Sequence, residues 1–337
     1  MNSLKVITAS AGLSGSGLIS DFLLSREDFI SPFKENPDND QQSEFRFISD
    51  PGGLCSLYLG FYENFSINNC AYVFNEFEKY LLKLKKFSII KNGKKVFLYD
   101  KHFFSEVEKF KKKIVKISYY GLPQFFRLGL NKKDRIVWKL SHKFKSAQEM
   151  NFLRMIIPVE KKIFIREAKI FLDNYFKKKN TNKYKNLKHI VLDQGANFWN
   201  PKLSSLFLKN SKIILVTRDP RSIYSSMKVR KSLSFPGHNL EIFISWYKEI
   251  MKEFKKVKQS KKVIIINYEK FILNHQKEKK KLLKFMGIKE SKKIYDGLNR
   301  SRKNIFKARS NLSDRELKKI SKSLNEYLKW PKNAKYF

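Results

Sequence analysis

The stretch Ser10-Ala11-Gly12-Leu13-Ser14-Gly15-Ser16-Gly17-Leu18 follows a short apolar run, Val6-Ile7-Thr8. It leads into Leu18, Ile19, Phe22 and Leu23 at helical spacing. A glycine-rich loop between a strand and a helix presents backbone N–H groups at the positive end of the helix dipole, which suits a phosphate. Gly15 and Gly17 let the backbone approach an anion closely, and Ser14 and Ser16 add hydroxyl donors. The candidate nucleotide-binding residues here are Gly12, Leu13, Ser14, Gly15, Ser16, Gly17 and Leu18. The bland alternative is an ordinary small-residue turn. No Lys follows in the GxxxxGK[ST] pattern, which counts against an ATPase or GTPase. The spacing also departs from GxGxxG.

A second constellation lies at Ile213 to Ser226. The apolar run Ile213-Ile214-Leu215-Val216 delivers Arg218 to the carboxyl edge of a sheet, where ligands bind in open α/β folds. Pro220 opens a helix. Ser226, eight residues after Arg218, lies about two turns along it and can face the same ligand. An Arg with a Ser hydroxyl can clamp a phosphate. The alternative is an Arg that caps the sheet edge by pairing with Asp219.

The elements that must hold these residues read as an α/β fold with a mostly parallel sheet flanked by helices. Glu44-Phe45-Arg46-Phe47-Ile48 alternates like a strand, after a polar stretch from Pro37 to Ser43. Asp50-Pro51-Gly52-Gly53 is a turn. Residues 60–185 read as a mainly helical insertion within a single domain spanning 1–337, with breaks near Gly93, Gly121 and Pro158. Ile136 to Leu140 inside it reads as a strand. The sheet rhythm resumes with a strand at His189 to Asp193, a helix from Pro201 to Leu208, a strand from Val263 to Ile266 and a helix on to Met286. The last helix opens with a capping box, Ser313 to Glu316.

Composition narrows the class. The chain has 337 residues, 42% of them hydrophobic, enough for a full core. Its two cysteines, Cys55 and Cys70, form no CxxC or Cys/His pattern, so neither a metal site nor a disulfide framework is expected. A net charge of +40 suits an anionic partner, though solvated helix faces carry runs such as Lys279-Lys280-Lys281 equally well. No zinc finger, RNP-like strand or basic zipper points to nucleic acid. With neither a signal-peptide pattern nor a long apolar run, the expected place is the cytoplasm, with peripheral contact to an anionic membrane as one option.

The two phosphate motifs, in order, resemble those of the PAPS-dependent sulfotransferase family (PAPS being 3′-phosphoadenosine-5′-phosphosulfate). The first loop resembles its 5′-phosphosulfate loop. Arg218 with Ser226 resembles its 3′-phosphate motif. Ala196 to Lys202 resembles the segment before that motif in carbohydrate-type members. Tyr268-Glu269-Lys270-Phe271 and Leu283 to Gly287 resemble later family elements. The resemblance implies a P-loop-like core, PAPS as co-substrate, no metal, and an acceptor hydroxyl on a carbohydrate or glycolipid, with the insertion as acceptor-side wall. It also implies a basic loop over the 3′-phosphate at Arg300 to Asn304, with Arg302 and Lys303 on the nucleotide. The family usually has Lys or Arg where Leu13 stands. Either Arg46 or Lys139 takes that role, or loop N–H groups do. By resemblance to heparan-type members, Glu44 is the first candidate for the catalytic base. Asp193, at a strand end, is the second. His102 and His142, in the insertion, are further options. Two other function classes stay open, a nucleotide-dependent phosphotransferase and a non-catalytic basic protein that binds anions or nucleic acid.

Overall fold

The computed structural model describes residues 3–33, 44–91, 94–121, 132, 135–136, 139, 153–181, 188–231, 234–290, 295 and 297–328. Its strands are β1 (Lys5–Ser10), β2 (Phe29–Ile30), β3 (Ser88–Lys91), β4 (Lys94–Phe97), β5 (Val115–Gly121), β6 (Leu153–Pro158), β7 (His189–Asp193), β8 (Ser211–Thr217) and β9 (Val263–Asn267). The helices run α1 (Ser16–Leu24), α2 (Leu54–Tyr58), α3 (Ile67–Lys86), α4 (Lys101–Ile114), α5 (Lys161–Thr181) and α6 (Pro201–Ser205). They continue with α7 (Pro220–Val229), α8 (Leu240–Phe254), α9 (Tyr268–Leu273), α10 (His275–Met286), α11 (Gly297–Asn311) and α12 (Asp314–Ser323). Two compact units emerge, one of Met1–Phe45, Asn180–Ser205 and Lys209–Phe337, the other of Arg46–Lys179 and Leu206–Leu208.

The first unit is built on a parallel sheet of order β2-β7-β1-β8-β9. Its strands are continuous apolar runs because helices cover both faces. Val6, Val191, Ile214 and Ile264 pack with Leu18, Phe22, Phe271 and Leu282 from the helices into one buried core. The register pairs Thr8 with Asp193, Ser10 with Val216 and Thr217 with Asn267. The carboxyl ends of four strands therefore finish on one edge, and four loops open there. The parallel sheet, the Gly-rich strand–loop–helix and the capping box at Ser313 all match the sequence reading.

The second unit has an aromatic core. Phe47 meets Phe103 edge-on at 5.0 Å, and Phe110 stacks on Phe171 at 5.5 Å. Such pairs add to plain apolar burial. This region is less helical than its sequence suggests. Two antiparallel ribbons, β3–β4 and β5–β6, interrupt it.

Several local expectations need correction. Glu44 to Ile48 is no strand. Glu44 makes a single parallel bridge with Asp193, and residues 46–49 then turn, with Ser49 and Asp50 N–H both donating to the Arg46 carbonyl. Phe45, Phe47 and Ile48 are all fully buried, so the apparent alternation reflects a buried turn. Ile136 and Lys139 are helical, and the rest of the strand expected there lies outside the described residues, as does Pro37 to Ser43. The helix from Pro201 stops at Ser205. The one expected after β9 breaks into α9 and α10 at Asn274.

Candidate functional site

Arg218 is the centre of the carboxyl edge of the first unit. It follows β8 directly, is 7% exposed, and is met by Leu13, Ser226, Asn304 and Tyr268. Its Nη1 donates to the Leu13 carbonyl at 3.1 Å and to Ser226 Oγ at 3.3 Å. Its Nη2 donates to the Asn304 carbonyl at 3.1 Å. The guanidinium lies 4.7 Å from the Tyr268 ring centroid. Its buried Nε has no hydrogen-bond partner among the described residues. Asp219, the expected alternative partner, is taken. Arg221 grips it with Nε at 2.9 Å and Nη2 at 2.8 Å, and both side chains are buried. Asp219 also caps α7 by accepting from Arg221 N–H. None of the described ion pairs includes Arg218. A buried guanidinium hydrogen-bonded only to carbonyls and a hydroxyl among the described residues, with Glu269 acting on it at longer range, fits an anionic ligand.

The glycine-rich loop lies on the same edge. Gly12, Leu13 and Gly15 have φ of 42°, 51° and 86°. For Leu13 this left-handed geometry is costly, and the Arg218 bond to its carbonyl helps hold it. A Cβ at Gly12 would come 2.7 Å from the Phe235 ring, and one at Gly15 would collide with Tyr268. Gly15 precedes α1 and has no side chain to cap it; Leu18 N–H donates to the Gly15 carbonyl, and the N–H groups ahead of it suit an anionic acceptor. Ser14 Oγ turns back to the Ala11 carbonyl at 2.6 Å, bracing the loop. Ser16 Oγ accepts from Gln194 Nε2 at 2.7 Å.

Asp193 lies beneath the loop. Thr8 Oγ1 donates to it at 2.6 Å, and Thr8 also meets Ser20 Oγ at 2.8 Å. Burial raises the Asp193 carboxyl above its ordinary range and the nearby Glu44 charge adds to this, against hydrogen bonds from Thr8 and Ser16. Glu44 is half-buried beside it, bridged through the backbone. The Tyr268 phenol is raised by burial, opposed by Arg218 and by hydrogen bonds with Ser301 and Asn304.

The structure thus brings together the loop, Arg218, Ser226 and Asp193, with Glu44 adjoining Asp193. Ser226 also donates to the Ser222 carbonyl at 2.8 Å. Arg300 to Asn304 is helix, part of α11, where a loop was expected. Arg302 is exposed there and acts on His275 electrostatically, while Ser301 and Asn304 reach the site. The Lys303 side chain lies outside the described residues, as does His142. His102, Arg46 and Lys139 belong to the second unit, where Arg46 faces Asp50 at 3.9 Å and Lys139 is exposed. Sequence reasoning missed Thr8 and Gln194 as parts of this edge, and named Tyr268 and Asn304 only within longer family-like segments. Of the first two, Gln194 alone carried a signal, a polar residue directly after a strand-ending acid.

The Sulfotransferase family matches residues 141–292, which hold β7, β8, α7 and β9. That stretch, a little under half of the chain, resembles the sulfotransferase family. The match takes in Arg218 and Ser226, and the glycine-rich loop precedes it. Solved structures of similar topology include the sulfotransferase domain from the curacin biosynthetic pathway, at 12% identity and TM-score 0.42, covering 98% of this chain and 99% of that one. A mouse sulfotransferase complexed with PAP is 15% identical over 46% of this chain and 70% of that one, TM-score 0.29. Retinol dehydratase complexed with androsterone and PAP is 14% identical, TM-score 0.32, over 96% of this chain and 80% of that one. At such values the assignment rests on the family match. No curated relative matches the sequence.

Proposed function

We propose that this chain is a sulfotransferase that binds PAPS along the carboxyl edge of the first unit and sulfates a hydroxyl of a carbohydrate or glycolipid. The carrying observation is Arg218, a buried cation with an unpartnered Nε and no carboxylate paired to it among the described residues. Arg218 and Ser226 suit the 3′-phosphate, and residues 12–18 suit the 5′ end. PAPS supplies the activated sulfuryl group. The N–H groups at the start of α1 stabilise the leaving phosphate as its bond to sulfur breaks, in the place of the cation missing at Leu13. Glu44 takes the proton of the acceptor hydroxyl as its oxygen bonds to sulfur. Asp193, already engaged by Thr8, positions this edge.

The acceptor class is supported by Trp199. Its ring is 43% exposed on the segment after β7, and its Nε1 is fixed to the Ile250 carbonyl at 3.1 Å. A fixed exposed indole offers an apolar face to a sugar ring. Nucleotide titration tests the site. A charge-assisted bond contributes roughly 1.5–3 kcal/mol, so Arg218→Ala should weaken binding of the desulfated product, PAP, by about one to two orders of magnitude. Adenosine 5′-phosphosulfate, which lacks the 3′-phosphate, should lose much less, only what the freed Leu13 carbonyl costs the loop. Equal loss for both would remove Arg218 from the 3′-phosphate site.

A further inference from the structure

We propose that the end of α3 and the β3–β4 hairpin form an anchor that docks this chain on an anionic lipid surface. This site belongs to the second unit and does not depend on the acceptor. Residues 79–99 contain seven Lys and no Asp or Glu. Lys83, Lys85 and Lys86 are exposed in and around the last turn of α3, and no ion pair engages them among the described residues. The helix leads straight into the hairpin, whose register sets Ile90 opposite Lys95 and Ser88 opposite Phe97. Side chains two apart share a face, so Ile90, Lys95 and Phe97 all stand on one side of the ribbon. Ile90 is 77% exposed and Phe97 is 50% exposed. Lys95 Nζ lies 5.4 Å from the Phe97 ring. Leu82, in the last part of α3, and Phe87, at its end, add exposed apolar surface.

The base of the device is fixed. Leu81 and Leu84 on α3, and Leu98 and Tyr99 after β4, are buried. The apolar tips are therefore held outward on a firm stem. Exposed Ile and Phe on a two-stranded ribbon are a liability in water. With Lys95 beside them and exposed lysines at the end of α3, they match the boundary between acidic headgroups and acyl chains, where apolar tips insert and cations stay at the headgroups. Lys83, Lys85, Lys86 and Lys95, all exposed, would repel a second copy docking at the same anchor.

The test is sedimentation of the full-length chain with vesicles of phosphatidylcholine alone or mixed with phosphatidylglycerol. The parent should bind only the mixed vesicles. Ile90→Ser with Phe97→Ser leaves the charge unchanged and should weaken that binding by roughly tenfold or more. Replacing Lys279, Lys280 and Lys281 by Ser removes three charges from α10 and should change it little. Both native cysteines are buried, so Ile90→Cys can carry an environment-sensitive dye that shifts blue on mixed vesicles only. PAP affinity of the double Ser variant reports that the fold is intact. Undiminished binding by that variant, loss only in the α10 variant, or self-association of the chain through this face would each overturn the proposal.

Discussion

Arg218 spends its Nη donors on two carbonyls and the Ser226 hydroxyl, and in doing so ties Leu13 to the edge. An arginine eight residues before a serine was visible in the sequence because strand and helix periods fix where both must point. The left-handed turn of Leu13 was not visible, since that geometry depends on the distant guanidinium and on rings from residues 235 and 268. The acids behave in the same way. Glu44 was found through a strand that the fold replaces with one bridge and a turn, yet the bridge itself delivers it to Asp193. Of the two, Asp193 is buried, engaged by Thr8 and raised toward its neutral form, while Glu44 keeps some exposure. General-base catalysis contributes about 10²–10⁴-fold. Glu44→Gln should lower single-turnover sulfation within that range and leave PAP affinity near that of the parent. Asp193→Asn should have a smaller effect. Normal turnover by Glu44→Gln with a dead Asp193→Asn would reverse the two roles.

At the scale of elements, the junction of β9, α9 and α7 holds the Arg218 turn in place. Glu269 is 1% exposed, accepts from Asp219 N–H at 2.9 Å and from Asn267 Nδ2 at 2.8 Å. Burial, helped by the charge of Asp219, pushes its carboxyl up to about 7 from an ordinary value of 4.5. The folded state thus holds this proton more tightly than the unfolded one. The resulting stabilisation is complete below pH 4.5 and is lost as pH rises through 7. A shift of this size corresponds to roughly 3 kcal/mol. Urea unfolding should show the parent losing stability between about pH 5 and pH 8, and Glu269→Gln should flatten that slope. Parallel profiles would assign the titration to another group. The β-α rhythm of this unit was legible because buried strands and amphipathic helices have distinct periods. The ribbons of the second unit were masked by their lysines, which suit helix faces and ribbon edges alike.

At the scale of the whole molecule, the charge of +40 resolves into local assignments. One buried arginine sits at the candidate nucleotide edge, one lysine-rich hairpin stands at the surface, and many lysines pair with neighbouring acids, such as Lys228 with Glu316 and Lys179 with Asp100. No described helix is long and apolar enough to cross a membrane. Single-turnover transfer from PAPS labelled in its sulfur, run in the presence of a chelator against a pool of glycans and glycolipids, tests the central claim most directly. The label should leave the nucleotide and appear as a sulfate ester on a sugar hydroxyl, with one PAP formed for each ester. A label that stays on the nucleotide across the whole pool, or a reaction that needs Mg²⁺ and moves phosphate from ATP instead, would contradict it.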